Sequence, residues 1–257
     1  MSKKILLEIA ANSLPSAMAA QRGGADRIEL CDFLEGGGVT PSFATIALSR
    51  EHLQIPLHVL IRPRVGDFLY TREEIDIMLR DITQCLRLGC DGVVIGALTA
   101  DGDIDVALCQ ELMQAAGDMR VIFHRAFDCA VHFDTAWQAL QTLGVHGLLS
   151  SGRAATAMDG SEVLAHCVQL AQASAMQIIA GAGVNADKVQ NLLAATQASA
   201  VHASAKSYIK SSARMKSIVG LQADYWQTSE TLVRKLVDAI AEFQVDRKFH
   251  FQRRNIE

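Results

Sequence analysis

Glu8, Glu29, Arg62 and His124 stand at or near the ends of short apolar runs and together make an acid–base set. Two carboxylates beside an imidazole can take and return a proton, while a guanidinium orients an anionic substrate through paired hydrogen bonds. The same carboxylates and imidazole suit a divalent ion such as zinc or manganese. No HExxH-type pair supports that metal, so acid–base use ranks first. Soft-metal chemistry would fall to Cys31, the best placed of six thiols, with His202 as an auxiliary ligand. Cu(I) prefers thiolate, thioether and imidazole donors.

These side chains act together only if the backbone gathers them. Eight apolar runs, 5–10, 27–31, 57–62, 92–96, 120–125, 146–151, 176–180 and 200–204, read as short buried strands. Helical sequence lies between most neighbours, opened by Asn12 or Ser13 ahead of Pro15, by Glu73 and Glu74 in a first turn, by Asp103 or Asp105, and by Asn185. A strand and its covering helix, repeated eight times, close into a parallel (β/α)8 TIM barrel. The length of 257 residues suits one such domain, residues 1–257. Segment 206–227 carries no hydrophobic period and reads as a long polar loop before a last amphipathic helix over 229–243.

Barrels of this kind place ligand-binding groups where the strands end. Side chains alternate along a strand, and the more apolar face meets the helices. That rule turns Glu8, Glu29, Cys31, His58, Arg62, His124 and His202 inward and predicts that Glu8, Glu29, Arg62 and His124 converge at the mouth. Loops after the seventh and eighth strands often hold phosphate through backbone N–H groups. Here they carry Gly181, Gly183 and Ser204, with Ser151 and Gly152 placed to add donors after the sixth strand.

The formal net charge of −4 favours neither nucleic acid nor a membrane surface. The first apolar run is too short for a signal core or a membrane span, and the six cysteines form no CxxC pair. A cytoplasmic protein is expected. Sequence does not fix the oligomeric state; a homodimer is one expectation.

Several joined motifs then carry a resemblance. Leu7-Glu8-Ile9 with Asn12, Gly23-Gly24-Ala25-Asp26-Arg27-Ile28-Glu29-Leu30-Cys31, Gly36-Gly37-Gly38-Val39-Thr40-Pro41-Ser42 and Ile61-Arg62-Pro63-Arg64 are similar to the CutC family. So are His124-Arg125-Ala126-Phe127-Asp128, Ser150-Ser151-Gly152 and Ala180-Gly181-Ala182-Gly183-Val184. The resemblance spans nearly the whole chain up to Ser204. It implies a cytoplasmic TIM barrel taking part in copper homeostasis, with copper as its bound ion. The matched motifs are nevertheless rich in Glu, Arg, His and Gly, and Cys31 is the one good Cu(I) ligand within them. Two expectations stand side by side: a copper-handling protein, and an enzyme acting on a small anionic or phosphorylated substrate.

Overall fold

Short β-branched and leucine-rich segments bounded by turns form the strands, and capped helices return the chain between them. The computed structural model describes residues 4–216, 218 and 222–254, with side chains to residue 246. Its parallel strands are β1 (Leu6–Ala11), β2 (Arg27–Leu30), β3 (Leu57–Leu60), β4 (Gly92–Ile95), β5 (Arg120–Phe123), β6 (Gly147–Ser150), β7 (Gln177–Gly181) and β8 (Ala200–Ala203). They join in sequence order, and β8 closes onto β1 with Glu8 opposite His202. The fold is a (β/α)8 TIM barrel.

The helices are α1 (Leu14–Gly23), α2 (Phe43–His52), α3 (Arg72–Arg87), α4 (Val106–Ala116), α5 (Ala126–Cys129), α6 (Phe133–Leu143), α7 (Ser161–Leu170), α8 (Ala186–Thr196) and α9 (Glu230–Arg254). Their starts follow local chemistry. Ser13, Thr71, Asp105 and Asn185 each accept an orphan N–H of the first turn, and Thr71 and Glu74 form a reciprocal capping box. The last helix runs beyond the expected end at 243 to Arg254.

Two hydrophobic layers hold the barrel. Helix-facing strand residues such as Ile9, Ile28, Val59 and Phe123 pack under the helices. Inside, Leu60, Val94, Ile122, Leu149, Ile179 and Ala200 form a separate apolar girdle with Cys31. This girdle leaves few places inside the barrel where charge is tolerated.

The expected loop over 206–227 is corrected. Its ends pair as an antiparallel ribbon, β9 (Lys206–Ile209) against β10 (Tyr225–Thr228). Tyr208 meets Trp226 edge-on, and Lys206 sits over the Trp226 ring, so cross-strand aromatic contact replaces the missing hydrophobic period. Asn12 Nδ2 donates to the Trp226 carbonyl, tying the ribbon to the start of α1. Among the described residues, no helix is long and apolar enough to cross a membrane.

Candidate functional site

The strands end around a cavity of about 270 Å³ whose wall includes Glu29, Cys31, Arg62, His124, Arg125 and His202. That volume admits only a small ligand.

Glu8, expected at this mouth, lies beneath it. Ala10, two residues further along β1, lines the cavity, whereas Glu8 is wholly buried. The reason is its pairing: Arg27 Nε donates to Oε2 from the adjacent strand, and His202 Nδ1 lies 2.7 Å from Oε1. Burial alone would raise the Glu8 pKa, but Arg27, then His202 and His58, outweigh it and hold it at about 2. His58 is also internal, with neither ring nitrogen partnered among the described residues, and burial lowers its pKa to about 4.

Glu29 sits in the opposite environment. Its Oε2 has no hydrogen-bond partner among the described residues and lies 3.8 Å from His202 Nδ1. Burial raises its pKa to about 7, with His202 opposing the rise and the Glu8 charge reinforcing it. Burial works against a charged His202, yet Glu29 and Glu8 outweigh it and raise its pKa. Glu8, His202 and Glu29 thus form a proton-handling unit with only Glu29 and His202 facing the cavity. A carboxyl group that titrates near neutrality is suited to general acid–base work.

His124 and Arg62 depart from their simplest expected roles. The Arg62 guanidinium donates to the carbonyls of Gly36, Gly38 and Gly66 and lies 4.9 Å over the Phe68 ring. It anchors the two loops that wall the cavity, and its Nη donors are committed to them. Gly38 sits at φ +86, where its carbonyl can face Arg62, and a Cβ there would meet Leu60 at 2.6 Å. The next ring in the stack is His124, 5.0 Å from Phe68. Burial and the Arg62 charge lower the His124 pKa to about 3, so this imidazole is neutral.

The expected anion donors divide. After β6, the Ser151 N–H and Oγ and the Arg153 N–H turn to the Asp128 carboxylate, and the Gly152 N–H donates to Ser150 Oγ. Ser151 and Gly152 are therefore corrected: the Asp128 carboxylate accepts from the Ser151 N–H and the Ser150 hydroxyl accepts from the Gly152 N–H. Gly181 is also not a loop residue. It belongs to β7, and a Cβ there would meet Leu149 Cδ1 at 2.6 Å. Beyond it the backbone turns with positive φ at Ala182 and Gly183. Ala182, Gly183, Val184 and Ser204 line the cavity, and the N–H groups of Gly183, Val184 and Ser204 donate to no acceptor among the described residues.

Arg125, a strand-end cation that parity turns away from the mouth, joins the wall. Strand parity puts it opposite His124, but β5 ends at Phe123, and the α5 turn redirects the next side chains. Its Nε donates to Asp128 and its Nη2 to Ser151 Oγ, each at 2.9 Å. The signal available in sequence was adjacency: a cation directly follows a strand-end histidine.

These donors do not fit a Cu(I) ion. Cys31 is buried in the wall, where burial, then the Glu29, Asp32 and Glu35 charges, raise its pKa far above the usual thiol range. Among the described residues, one trio of metal-type donors comes together, Glu8, Glu29 and His202. It is oxygen-rich, contains no sulfur, and has Arg27 on one of its carboxylates.

Residues 5–207 match the CutC family. The chain belongs to the CutC family. A CutC family protein of Xanthomonas campestris pv. campestris is 47% identical over 236 residues, covering 91% of this chain and 98% of the relative. One from Bacteroides thetaiotaomicron is 40% identical over 244 residues, 93% of this chain and 98% of its own. Among solved structures, a candidate copper homeostasis protein CutC from Streptococcus agalactiae aligns with a TM-score of 0.74 and 30% identity, covering 78% of this chain and 98% of that one. A thiamine phosphate pyrophosphorylase from Pyrococcus furiosus, 13% identical with a TM-score of 0.57 over 94% of this chain and 98% of that one, shares the fold.

Proposed function

We propose that this CutC-family barrel is an enzyme that binds a small anionic, phosphorylated ligand in its mouth and moves a proton on it. The observation that carries this reading is the pairing of two unfilled groups across one cavity. On one wall stands the unpartnered Glu29 carboxyl, backed by His202 and Glu8. On the rim are the N–H groups of Gly183 and Val184, which lack acceptors among the described residues. Asn185 caps α8 directly behind them, so the positive end of that helix adds to the attraction.

Thermal melting tests the anion half. Phosphate or sulfate should raise the melting temperature above a chloride control of matched ionic strength. At about 100 times its dissociation constant, a ligand adds about 2.7 kcal/mol of stability. Gly183→Val places a branched side chain at φ +71, with its Cβ about 3.2 Å from Thr156, and should abolish the increment even though its own baseline melts lower. No anion-specific increment in the wild type would sink the reading.

Copper homeostasis, the role in the streptococcal protein's description, is the second reading. One observation favours it: the Cys31 thiol faces the same cavity. Among the described residues, no group of three metal-type donors includes that thiol, so a copper-linked role would rest on the barrel's chemistry more than on holding the ion. The six free cysteines suit a reducing cytoplasm, where we place the protein.

A further inference from the structure

We infer that the substrate carries a carbonyl group beside an acidic C–H, and that His124 donates its Nε2–H to that carbonyl oxygen while Glu29 takes the proton from carbon. This inference rests on the anionic-ligand reading above and names the reaction class.

The tautomer follows from geometry. The Ala126 N–H donates to His124 Nδ1 at 3.1 Å, so Nδ1 presents its lone pair and the ring proton resides on Nε2. That Nε2 is buried and has no partner among the described residues, although His124 lines the cavity. A desolvated N–H donor with nothing to donate to is costly, and a ligand acceptor would repay that cost. The acceptor must be an oxygen or nitrogen lone pair, which a carbonyl supplies.

The surroundings keep the ring in this state. The Arg62 guanidinium stacks on Phe68, which packs against His124, and the α5 turn supplies the N–H that fixes Nδ1. A neutral imidazole is a weaker acid than imidazolium. It suits an oxygen whose negative charge develops during reaction, because it stabilises the enolate without protonating the ground state.

Glu29 completes the step. Its ionised carboxylate removes the proton α to the carbonyl. The C–H pair becomes the C=C bond, and the carbonyl π pair moves onto oxygen, which His124 Nε2–H stabilises. Return of the proton from Glu29 regenerates the carbonyl form, so no oxidant or reductant is required. His202, 3.8 Å from Glu29 and hydrogen-bonded to Glu8, can exchange that proton with solvent while Glu29 holds it. At the other end the ligand's dianion meets the N–H groups of Gly183 and Val184. Arg125, held by Asp128 and Ser151, supplies a fixed cation on the same wall.

Calorimetric titration with inorganic phosphate and two phosphorylated probes tests this assignment. Phosphoglycolohydroxamate mimics a phosphorylated enediolate, whereas glycerol 3-phosphate keeps the phosphate without the carbonyl. The hydroxamate should bind at least tenfold more tightly. His124→Phe should erase that preference while leaving inorganic phosphate affinity within twofold, and His124→Gln, which keeps an N–H donor, should retain part of it. If the hydroxamate and glycerol 3-phosphate bind equally while inorganic phosphate still binds, the enolate inference is overturned and the anion site survives. A preference undiminished in His124→Phe and in His124→Gln also overturns it. If inorganic phosphate does not bind the wild type, both readings fall.

Discussion

Replacing Glu29 with glutamine should make the protein more stable at pH 8 and scarcely change it at pH 4.5. Glu29 has a folded-state pKa raised from 4.5 to about 7, so between these values the folded protein holds a proton that the unfolded chain releases. Stability from this group is therefore full at low pH, declines as pH rises through the window, and is lost above about 7. The displacement corresponds to roughly 3 kcal/mol as a ceiling. Water in the open cavity screens part of it, and an observed gain of about 1–2 kcal/mol is expected at pH 8. His202 is raised by Glu29 and Glu8, so its contribution is also lost as pH rises, and removing Glu29 weakens that dependence too. His58 and His124 act oppositely: their folded pKa values are lowered to about 4 and about 3, and their contribution is lost as pH falls below about 6.5. They remain in both proteins and cancel in the difference. Urea melts of wild type and Glu29→Gln at pH 5, 6, 7 and 8, followed by circular dichroism, give the comparison. A stability difference that stays flat across this range would refute the assignment of a raised Glu29.

Two further outcomes follow from the cavity wall. Asp128→Ala should cost about 3 kcal/mol, because the donors of Ser151 and Arg153 and the Ser150 hydroxyl lose their shared acceptor; chemical denaturation measures it, and limited proteolysis should show faster cleavage near residues 151–160. Cys31→Ser should leave Cu(I) affinity unchanged in competition titration against a chromogenic chelator, since a lone protonated thiol is a poor site. A tenfold or greater loss would instead restore Cys31 as a copper ligand.

Much of the fold was legible because each strand is short, apolar and bounded by a cap or turn. Asn185 announces its helix by residue type alone, and residue type narrows two others to Asn12 or Ser13 and Asp103 or Asp105, of which Ser13 and Asp105 cap. The ribbon of β9 and β10 was not legible, since it is held by Tyr208, Trp226 and Lys206 across a long connection and has no periodicity to read. Parity placed Glu29, Cys31, His124 and His202 on the cavity side of their strands. It could not rank them by depth, because depth depends on stagger between strands: Glu8 stands opposite Arg27 and His202 and is consumed there. Parity also fails two residues past the end of β5, where the α5 turn brings Arg125 to the wall. Donor capacity is invisible in sequence as well. Nothing in the residue types of Ser151 and Gly152 reveals that Asp128, more than twenty residues earlier, already occupies the Ser151 N–H, or that the Ser150 hydroxyl takes that of Gly152.

The contrast between neighbouring loops sharpens the chemical reading. After β6, N–H donors and the flanking Arg125 converge on a carboxylate that belongs to the chain. After β7, a comparable turn at Ala182 and Gly183 has no such internal anion among the described residues. Gly183 is exposed and Val184 half-buried, so the N–H groups of this turn stay open to an outside acceptor. The two glutamates diverge in the same way. Glu8 is saturated by Arg27 and His202 and held at about 2, while Glu29, one strand away, is left unpartnered and raised to about 7. An internal ion network formed only for stability would neutralise both, because an unpaired buried carboxyl is destabilising. The satisfied member of each pair serves as scaffold, and the unsatisfied members face the same cavity. Their shared requirement is a ligand with an acceptor-rich anion at one end and an exchangeable proton at the other.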